Sequence, residues 1–410
     1  MPVTASLAPT RSILRDGGFV RLWTGTTASG LATWALPFVL GLAVLHGDLG
    51  PVGLGVVLAT RTVGFIAAVP IAGVLADRHS RRGVVLWSGL LATAAMPVIA
   101  FGLGRSVVMM AIAAAVAGAG QGACRPAFQA LTAEVVEEGQ RQQANAATSL
   151  SVRVTTLVAP GLTTLLGAFM SVHVLLFGVA ALWLVAAVVP PRGKASGPAP
   201  ETARAGFLAE FMEGVREARR HPWFIAGLIA LTSMLAFGYS ASMVVLPMVS
   251  RDRYGTEVVL AAATTGYAVG ALIGAVLIAR WRPRAQGWAA LVSLACYGFA
   301  PLCLLFPLHP AMVVAAYVIA GLGVELFNVP WFTATQREVA PDKLARVSSL
   351  DFLLSYGLAP AGLALIAPAI ESFGATPVLA VCAVSCFVVP VLACLVPTSR
   401  GFTKKPSAAD

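Results

Sequence analysis

The sequence predicts an all-α membrane protein: twelve transmembrane helices, set out as two halves that repeat each other. Two observations carry that class. Of 410 residues, 58% are hydrophobic and 11% charged, where soluble domains carry about 25% charged residues; the mean hydropathy is +0.83. A soluble fold of this length has nowhere to hide so much apolar surface. The second observation is a repeat at an offset of about 200 residues. Gly73-Val74-Leu75-Ala76-Asp77-Arg78 with Arg81-Arg82 returns weakly as Ala275-Val276-Leu277-Ile278-Ala279-Arg280 with Arg284. Thr132-Ala133-Glu134-Val135-Val136 returns as Gln336-Arg337-Glu338-Val339-Ala340, and Ser149-Leu150 with Pro160 as Ser349-Leu350 with Pro360. Repeated bundles that rock about a midplane site are the architecture of secondary transporters.

The spans follow in order. An apolar run must reach about 20 residues to cross a hydrocarbon core of ~30 Å. Runs of that kind cover 19–45, 51–76, 83–104, 107–136, 143–169 and 172–190 in the first half. In the second half they cover 223–250, 256–279, 286–306, 310–336, 344–370 and 374–397. This gives an N-terminal domain over 1–190, a linker over 191–222, a C-terminal domain over 223–398 and a tail over 399–410. The first 18 residues lack an apolar core and a small-residue cleavage site, so no cleavable signal peptide is expected. The linker opens on Pro190-Pro191-Arg192-Gly193-Lys194-Ala195-Ser196-Gly197-Pro198, a flexible composition. Phe207, Leu208, Phe211, Met212 and Val215 then recur at helical spacing, opposite Glu210, Glu213, Glu217, Arg219 and Arg220. That pattern predicts an amphipathic helix lying in the headgroup region. Gly266, Gly270 and Gly274 form a small-residue stripe in the eighth span, and Gly118, Gly120 and Gly122 another in the fourth, which allows close helix packing.

The net charge of +10 is topogenic rather than a nucleic-acid footprint. Of 28 Lys and Arg, three (Arg105, Arg251, Arg253) fall in outer loops and three (Arg61, Arg125, Arg153) within spans. The other 22 fall in segments that this bias makes cytoplasmic, together with both termini. Arg outnumbers Lys 24 to 4, the usage of a GC-rich bacterial genome. The expected location is therefore the bacterial plasma (inner) membrane. All six cysteines fall inside spans and read as apolar packing residues. The five histidines sit at span ends or loops without metal-ligand spacing, and no Gly-x4-Gly-Lys-Ser/Thr occurs. An enzyme, a metal site and an ATP-driven pump are excluded on these grounds. No cofactor is expected, and energy has to come from an ion gradient or the substrate's own.

The charged loop between the second and third spans is the most specific motif. Gly73, Asp77, Arg78, Arg81 and Arg82 place an acid and three arginines at one membrane face. Asp77 there suits the positive end of a neighbouring helix, and Arg81 or Arg82 suits a carboxylate such as Glu134. Charges inside spans are costly and default to function. Glu325, midway along the tenth span, is the first proton-coupling candidate, and Asp351 in the eleventh is the second. Arg125 lies at similar depth in the fourth span, with Gln121 standing in the repeat where Glu325 stands. Arg61 and Arg153 read as partners between helices or bundles. Thr33, Trp34, Phe327, Asn328, Trp331 and Tyr356 complete the cavity candidates.

Gly73-Val74-Leu75-Ala76-Asp77-Arg78-His79-Ser80-Arg81-Arg82 resembles the signature loop of the major facilitator superfamily. Four further segments sharpen the resemblance to its drug:proton antiporter-3 branch, the macrolide-efflux-like and siderophore-exporter-like proteins. They are Leu22-Trp23-Thr24-Gly25; Arg125-Pro126-Ala127-Phe128-Gln129-Ala130-Leu131; Gln143-Ala144-Asn145-Ala146; and Leu326-Phe327-Asn328-Val329-Pro330-Trp331 with Val347-Ser348-Ser349-Leu350-Asp351. The resemblance implies two six-helix bundles related by pseudo-two-fold symmetry, alternating access, and export of amphiphilic compounds. It implies a cavity lined by the first, fourth, seventh and tenth spans, across which Arg125 and Glu325 could face each other. It also implies that Asp77 braces the start of the eleventh span near Ser348. Three departures bear on coupling. Thr33 stands where many relatives carry an acid, Gly118 replaces the usual Arg of the fourth-span antiporter motif, and Ala159-Pro160-Gly161-Leu162-Thr163-Thr164 is a degraded form of the fifth-span pattern.

The sequence therefore predicts a secondary active transporter, a proton-coupled efflux protein for drug-like or secondary-metabolite molecules, working as a monomer. A dedicated siderophore or antibiotic exporter, a proton-independent facilitator or importer, and a transport-dead membrane sensor remain open alternatives.

Overall fold

Helix starts are set by small polar caps in an otherwise apolar chain. In the computed structural model, which describes residues 12–78, 80–193, 207–357 and 359–403, Asp16 caps α1 (Gly17–Leu45) by accepting the Phe19 N–H at 2.9 Å. After α2 (Pro51–Arg78), Ser80 caps α3 (Arg81–Gly102) and Ser106 caps α4 (Val107–Val135). α5 (Arg141–Gly167) follows, and Ser171 caps α6 (Val172–Val188). Such caps satisfy N–H groups that a helix leaves without intrahelical partners. α7 (Phe207–Arg219) belongs to the linker.

The second half is more broken. Pro222 opens α8 (Pro222–Ser233), which continues through a widened π-helical turn over Met234–Tyr239 into α9 (Ser240–Asp252). α10 (Val258–Arg280) is continuous. α11 (Gln286–Ala295) and α12 (Phe299–Leu305) form one interrupted span. α13 (Pro310–Glu338) is followed by α14 (Leu344–Gly357), α15 (Ala359–Phe373) and α16 (Ala375–Ala393). Among the described residues, ten helical segments are long and apolar enough to cross a membrane. α6 is a shorter apolar helix of the same kind.

The repeat seen in the sequence is also a repeat of packing. α2 lies tightly against α4, and α10 lies as tightly against α13. A Cβ on Gly118 would sit 1.9 Å from the Arg61 carbonyl oxygen, and one on Gly270 would sit 1.9 Å from that of Val318. Bare glycine backbone is what lets these helices touch, in a solvent where packing rather than the hydrophobic effect joins helices. No arginine fits at Gly118 without moving α2. The six cysteines are free, and four of them (Cys124, Cys303, Cys382, Cys386) are buried.

Two segments outside the spans pack against the bundles. α7 forms where the sequence placed it and packs on the bundles through its acidic side and through Phe211, Val215 and Ala218 together. Glu210, Gly214 and Glu217 are turned into the protein, while Met212, Arg216 and Arg219 face outward. The reason is charge: basic side chains at the ends of α2 and α14 give those carboxylates partners that lipid cannot. The side chains of Phe207 and Leu208, and the linker over 194–206, lie outside the described residues. The tail is likewise folded in as far as it is described. Phe402, at φ 51°, is fully buried against Trp223 and Trp331, and Arg337 donates to the Gly401 and Phe402 carbonyls.

Candidate functional site

The two bundles meet at the end that carries α7 and the loop before α3, called the basic end below. Asp77 is the hinge pin of this junction. It ends α2, where the helix's own dipole disfavours an acid, yet its carboxylate accepts the N–H groups of Ala345 and Arg346 at 3.1 and 3.0 Å. Those donors open α14, so the positive end of a second helix compensates. Arg81 stands 3.7 Å from Asp77 and bridges on to Glu134 at 2.9 Å. Arg81 also donates across the junction to the Pro341 carbonyl. Gly73 makes the approach possible, since a Cβ there would lie 2.5 Å from the Ser349 hydroxyl. The contact falls on Ala345 and Arg346, just before Ser348. Arg82 turns away and donates to the Val188 carbonyl within its own bundle.

Arg78 supplies the link to α7. Its guanidinium makes two bonds of 2.6 Å to Glu210. Arg346 reaches Glu213 at 2.9 Å and Glu210 at 3.6 Å, and Lys343 reaches Glu213 at 3.1 Å. One short helix thus clamps the end of α2 in the first half and the start of α14 in the second. The Arg78 hydrogen bond holds the Glu210 carboxyl below its ordinary value of 4.5, and Lys343 does the same for Glu213. Groups with a depressed docked pKa contribute fully above the ordinary carboxylate value and lose that contribution as pH falls through the docked value. The clamp is therefore complete at neutral pH and insensitive to protons there. Glu210→Gln is expected to speed amide exchange over 207–219 by a few-fold at neutral pH, the scale of a partly exposed ion pair. Unchanged exchange would mean that the apolar side, not the acidic side, holds α7.

Deeper in, the charged side chains sort themselves differently from the sequence expectation. Glu325, 1% exposed on α13, pairs with Arg153 of α5, not with Arg125. The pair crosses from one bundle to the other, and the Arg153 guanidinium also lies over the Tyr267 ring, 5.7 Å from its centre. Sequence spacing put Arg125 and Glu325 at equal depth but carried no information on which helix faces which. Arg61 donates to the Gln121 side chain at 2.6 Å and to the Thr33 carbonyl at 3.0 Å, tying α2 to α4 and α1. Arg125 is close enough to Arg61 to interact with it electrostatically. Arg61, Gln121, Arg125, Arg153 and Tyr267 are all half-buried, and Arg153 is the one among them whose ion pair joins the two bundles.

The aromatic candidates sit elsewhere. Phe327 and Trp331 are fully buried, stacked 5.4 Å apart, with Phe224 stacked 4.8 Å from Trp331. They form the interior of the second bundle and offer no surface to a cavity. Asp351, also buried, accepts from the Trp331 indole at 3.0 Å and from Ser355 at 3.0 Å. Asn328 and Thr33 are buried at 9% and 7% exposure, and Trp34 is partly buried against the core. Tyr356 falls in α14, with its side chain outside the described residues; His79 lies outside them altogether. Reading the sequence missed the partners of Glu210, Glu213 and Glu217, and the junction amides Gln142, Asn145 and Gln336. The signal for the amides was present: Arg141-Gln142-Gln143-Ala144-Asn145 is unusually polar for the start of a span.

Two repeated helical bundles, joined at one end and holding charged groups between them at mid-depth, define a two-bundle membrane transporter. The chain belongs to the Major Facilitator Superfamily, whose family description matches residues 22–362. It is thus a multi-pass membrane transporter, not an enzyme. It is 25% identical over 371 residues to macrolide efflux protein A of Streptococcus pyogenes, covering 85% of this chain and 88% of that one. It is 26% identical over 375 residues to the multidrug efflux pump Tap of Mycolicibacterium fortuitum, covering 86% and 88%. Among solved structures, the human organic anion transporter MFSD10 (TETRAN) superposes with a TM-score of 0.77 at 15% identity, over 92% of this chain and 99% of that one. A bacterial homologue of the iron transporter ferroportin in an outward-facing state gives 0.72 at 15% identity, over 92% and 98%. These likenesses establish the fold.

Proposed function

We propose that this protein is a proton-coupled exporter of drug-like or secondary-metabolite molecules in a bacterial plasma membrane. It works as a monomer, with no cofactor, and its basic end faces the cytoplasm. The inter-bundle pair Arg153–Glu325 carries the reading. Alternating access requires the bundles to separate at each end in turn, so a pair that joins them must break in one state. A carboxylate in that pair lets a proton set the balance, because protonation removes the charge that Arg153 holds. A ligand shifts such an equilibrium only by its differential affinity for the two states, and a proton on Glu325 supplies that difference. Asp351 is the second candidate carrier. The names of the two efflux relatives favour export, and the half-buried arginines Arg61, Arg125 and Arg153 favour substrates with anionic or polar groups.

The test is accumulation of a panel of amphiphilic compounds in cells expressing the wild type, with and without a protonophore. Lower accumulation of some compound, abolished by the protonophore, is the expected result. Lower accumulation that survives the protonophore would replace this reading with a proton-independent facilitator, which Thr33 in place of a first-span acid favours. No response from any compound would point to a dedicated exporter or an importer.

A further inference from the structure

We infer that Gln142, Asn145 and Gln336 form a second cytoplasmic gate, an uncharged one, standing where the repeat lacks the acid of the first. This rests on the alternating-access reading above. In the first half, Asp77 at the end of α2 holds the start of α14. The repeat puts Ala279 at the end of α10 in the place of Asp77, so the carboxylate that holds α14 has no repeat counterpart facing α5. The bonding runs the other way instead. Gln142, at the start of α5, donates its amide to the Ile278 carbonyl at 2.6 Å and the Trp281 carbonyl at 3.0 Å. These are last-turn carbonyls of α10, which a helix leaves without intrahelical partners. An acceptor serving N–H groups in one half has become a donor serving C=O groups in the other.

A second set of amides lies one turn further in. Asn145 donates to the Thr333 hydroxyl at 2.9 Å and to the Gln336 side-chain oxygen at 3.0 Å. Gln336 returns a bond to Asn145 at 3.3 Å and gives another to the Gln129 carbonyl at 3.2 Å. Arg141 adds a bond of 2.8 Å to the Gln336 carbonyl. Every one of these joins the first bundle to the second. Gln142, Asn145 and Gln336 are 8%, 4% and 4% exposed, and Ala146 packs beside them against Ile278, Leu326 and Val329. That apolar seal excludes water, where neutral hydrogen bonds gain strength and broken ones cost most. Opening the cytoplasmic side must break the whole set. At this end the gate is therefore lopsided, centred on a carboxylate at α2–α14 and on side-chain amides, with Arg141 as a charged donor beside them, at α5–α10 and α5–α13.

Spin labels placed through encoded unnatural residues leave the native cysteines untouched and read the state directly. Exposed Glu137 and Arg284 report the cytoplasmic ends of the two bundles, and Asp48 and Glu257 the outer ends. The pair at 48 and 137 lies within one bundle. Gln142→Leu is expected to raise the ratio of cytoplasm-open to cytoplasm-closed protein about tenfold, from two hydrogen bonds of ordinary net worth. The cytoplasmic distance lengthens, the outer distance shortens and the within-bundle distance stays put. Asn145→Ala, which adds no bulk, is expected to act in the same direction. If Asp77→Asn moves the ends while neither amide variant does, the second gate is refuted and alternating access stands. If none of the three moves them, the alternating-access reading falls as well. A change in the within-bundle distance alone would mean local unfolding, and also refutes the gate.

Discussion

Glu325→Gln is expected to reduce energised export to background while leaving the protein folded and expressed. The side chain is nearly isosteric, and its carbonyl oxygen still accepts from Arg153, so the junction between α5 and α13 survives. What it cannot do is cycle between charged and neutral forms. Downhill exchange of substrate is therefore expected to persist where uphill export does not. Glu325→Ala should behave worse than Gln in a different way: Arg153, with a side chain 20% exposed, is left without this partner's charge, a loss of about 3–5 kcal/mol at full burial and less here. Removing both charges in Arg153→Ala with Glu325→Ala should recover expression but not coupling. Accumulation assays with matched membrane levels of each variant decide the matter. Wild-type export by the Gln variant would exclude Glu325 as the coupling group and turn attention to Asp351.

The second large effect is expected at Asp77. Its carboxylate is fully buried, accepts two backbone N–H groups and neighbours both Arg81 and Arg346. Asp77→Ala orphans two donors, each costing about 1–3 kcal/mol when buried, and leaves two arginines facing each other across the space. The closed state at the basic end should lose most of its population, and transport should fall by at least about tenfold. Asp77→Asn should fall between, because an amide oxygen can satisfy one donor but its NH2 opposes the other. Distances between labels at 137 and 284 give the readout. A closed basic end in the Ala variant would show that α7 and the amides hold the junction without Asp77.

These expectations draw unequally on the sequence. Asp77, Arg81 and Glu134 were legible because the residues lie close along the chain or in adjacent spans, and their charges had few other places to go in a membrane. Arg153 with Glu325 was half legible: each stood out as a charge in an apolar run, but the partner did not. Phe327 and Trp331 could be named but not oriented, because an aromatic residue in a span looks the same whether it faces a cavity or a bundle interior. The helix α7 was legible but its ionic partners were not, since amphipathicity fixes that two faces differ and not what each one meets.

The sequence by itself determined the class, the number of crossings and the two-half plan. Hydrocarbon thickness and backbone hydrogen bonding leave an apolar chain few alternatives, and a repeat needs only linear comparison. Tertiary structure alone decided the pairing of mid-span charges, the docking of the acidic face of α7 and the neutral amide contacts between α5, α10 and α13. Those depend on helix rotation about its axis and on contacts between residues 130–270 positions apart, such as Gln142 with Ile278 and Asp77 with Ala345. In a uniformly apolar helix, no sequence periodicity records which way a face is turned.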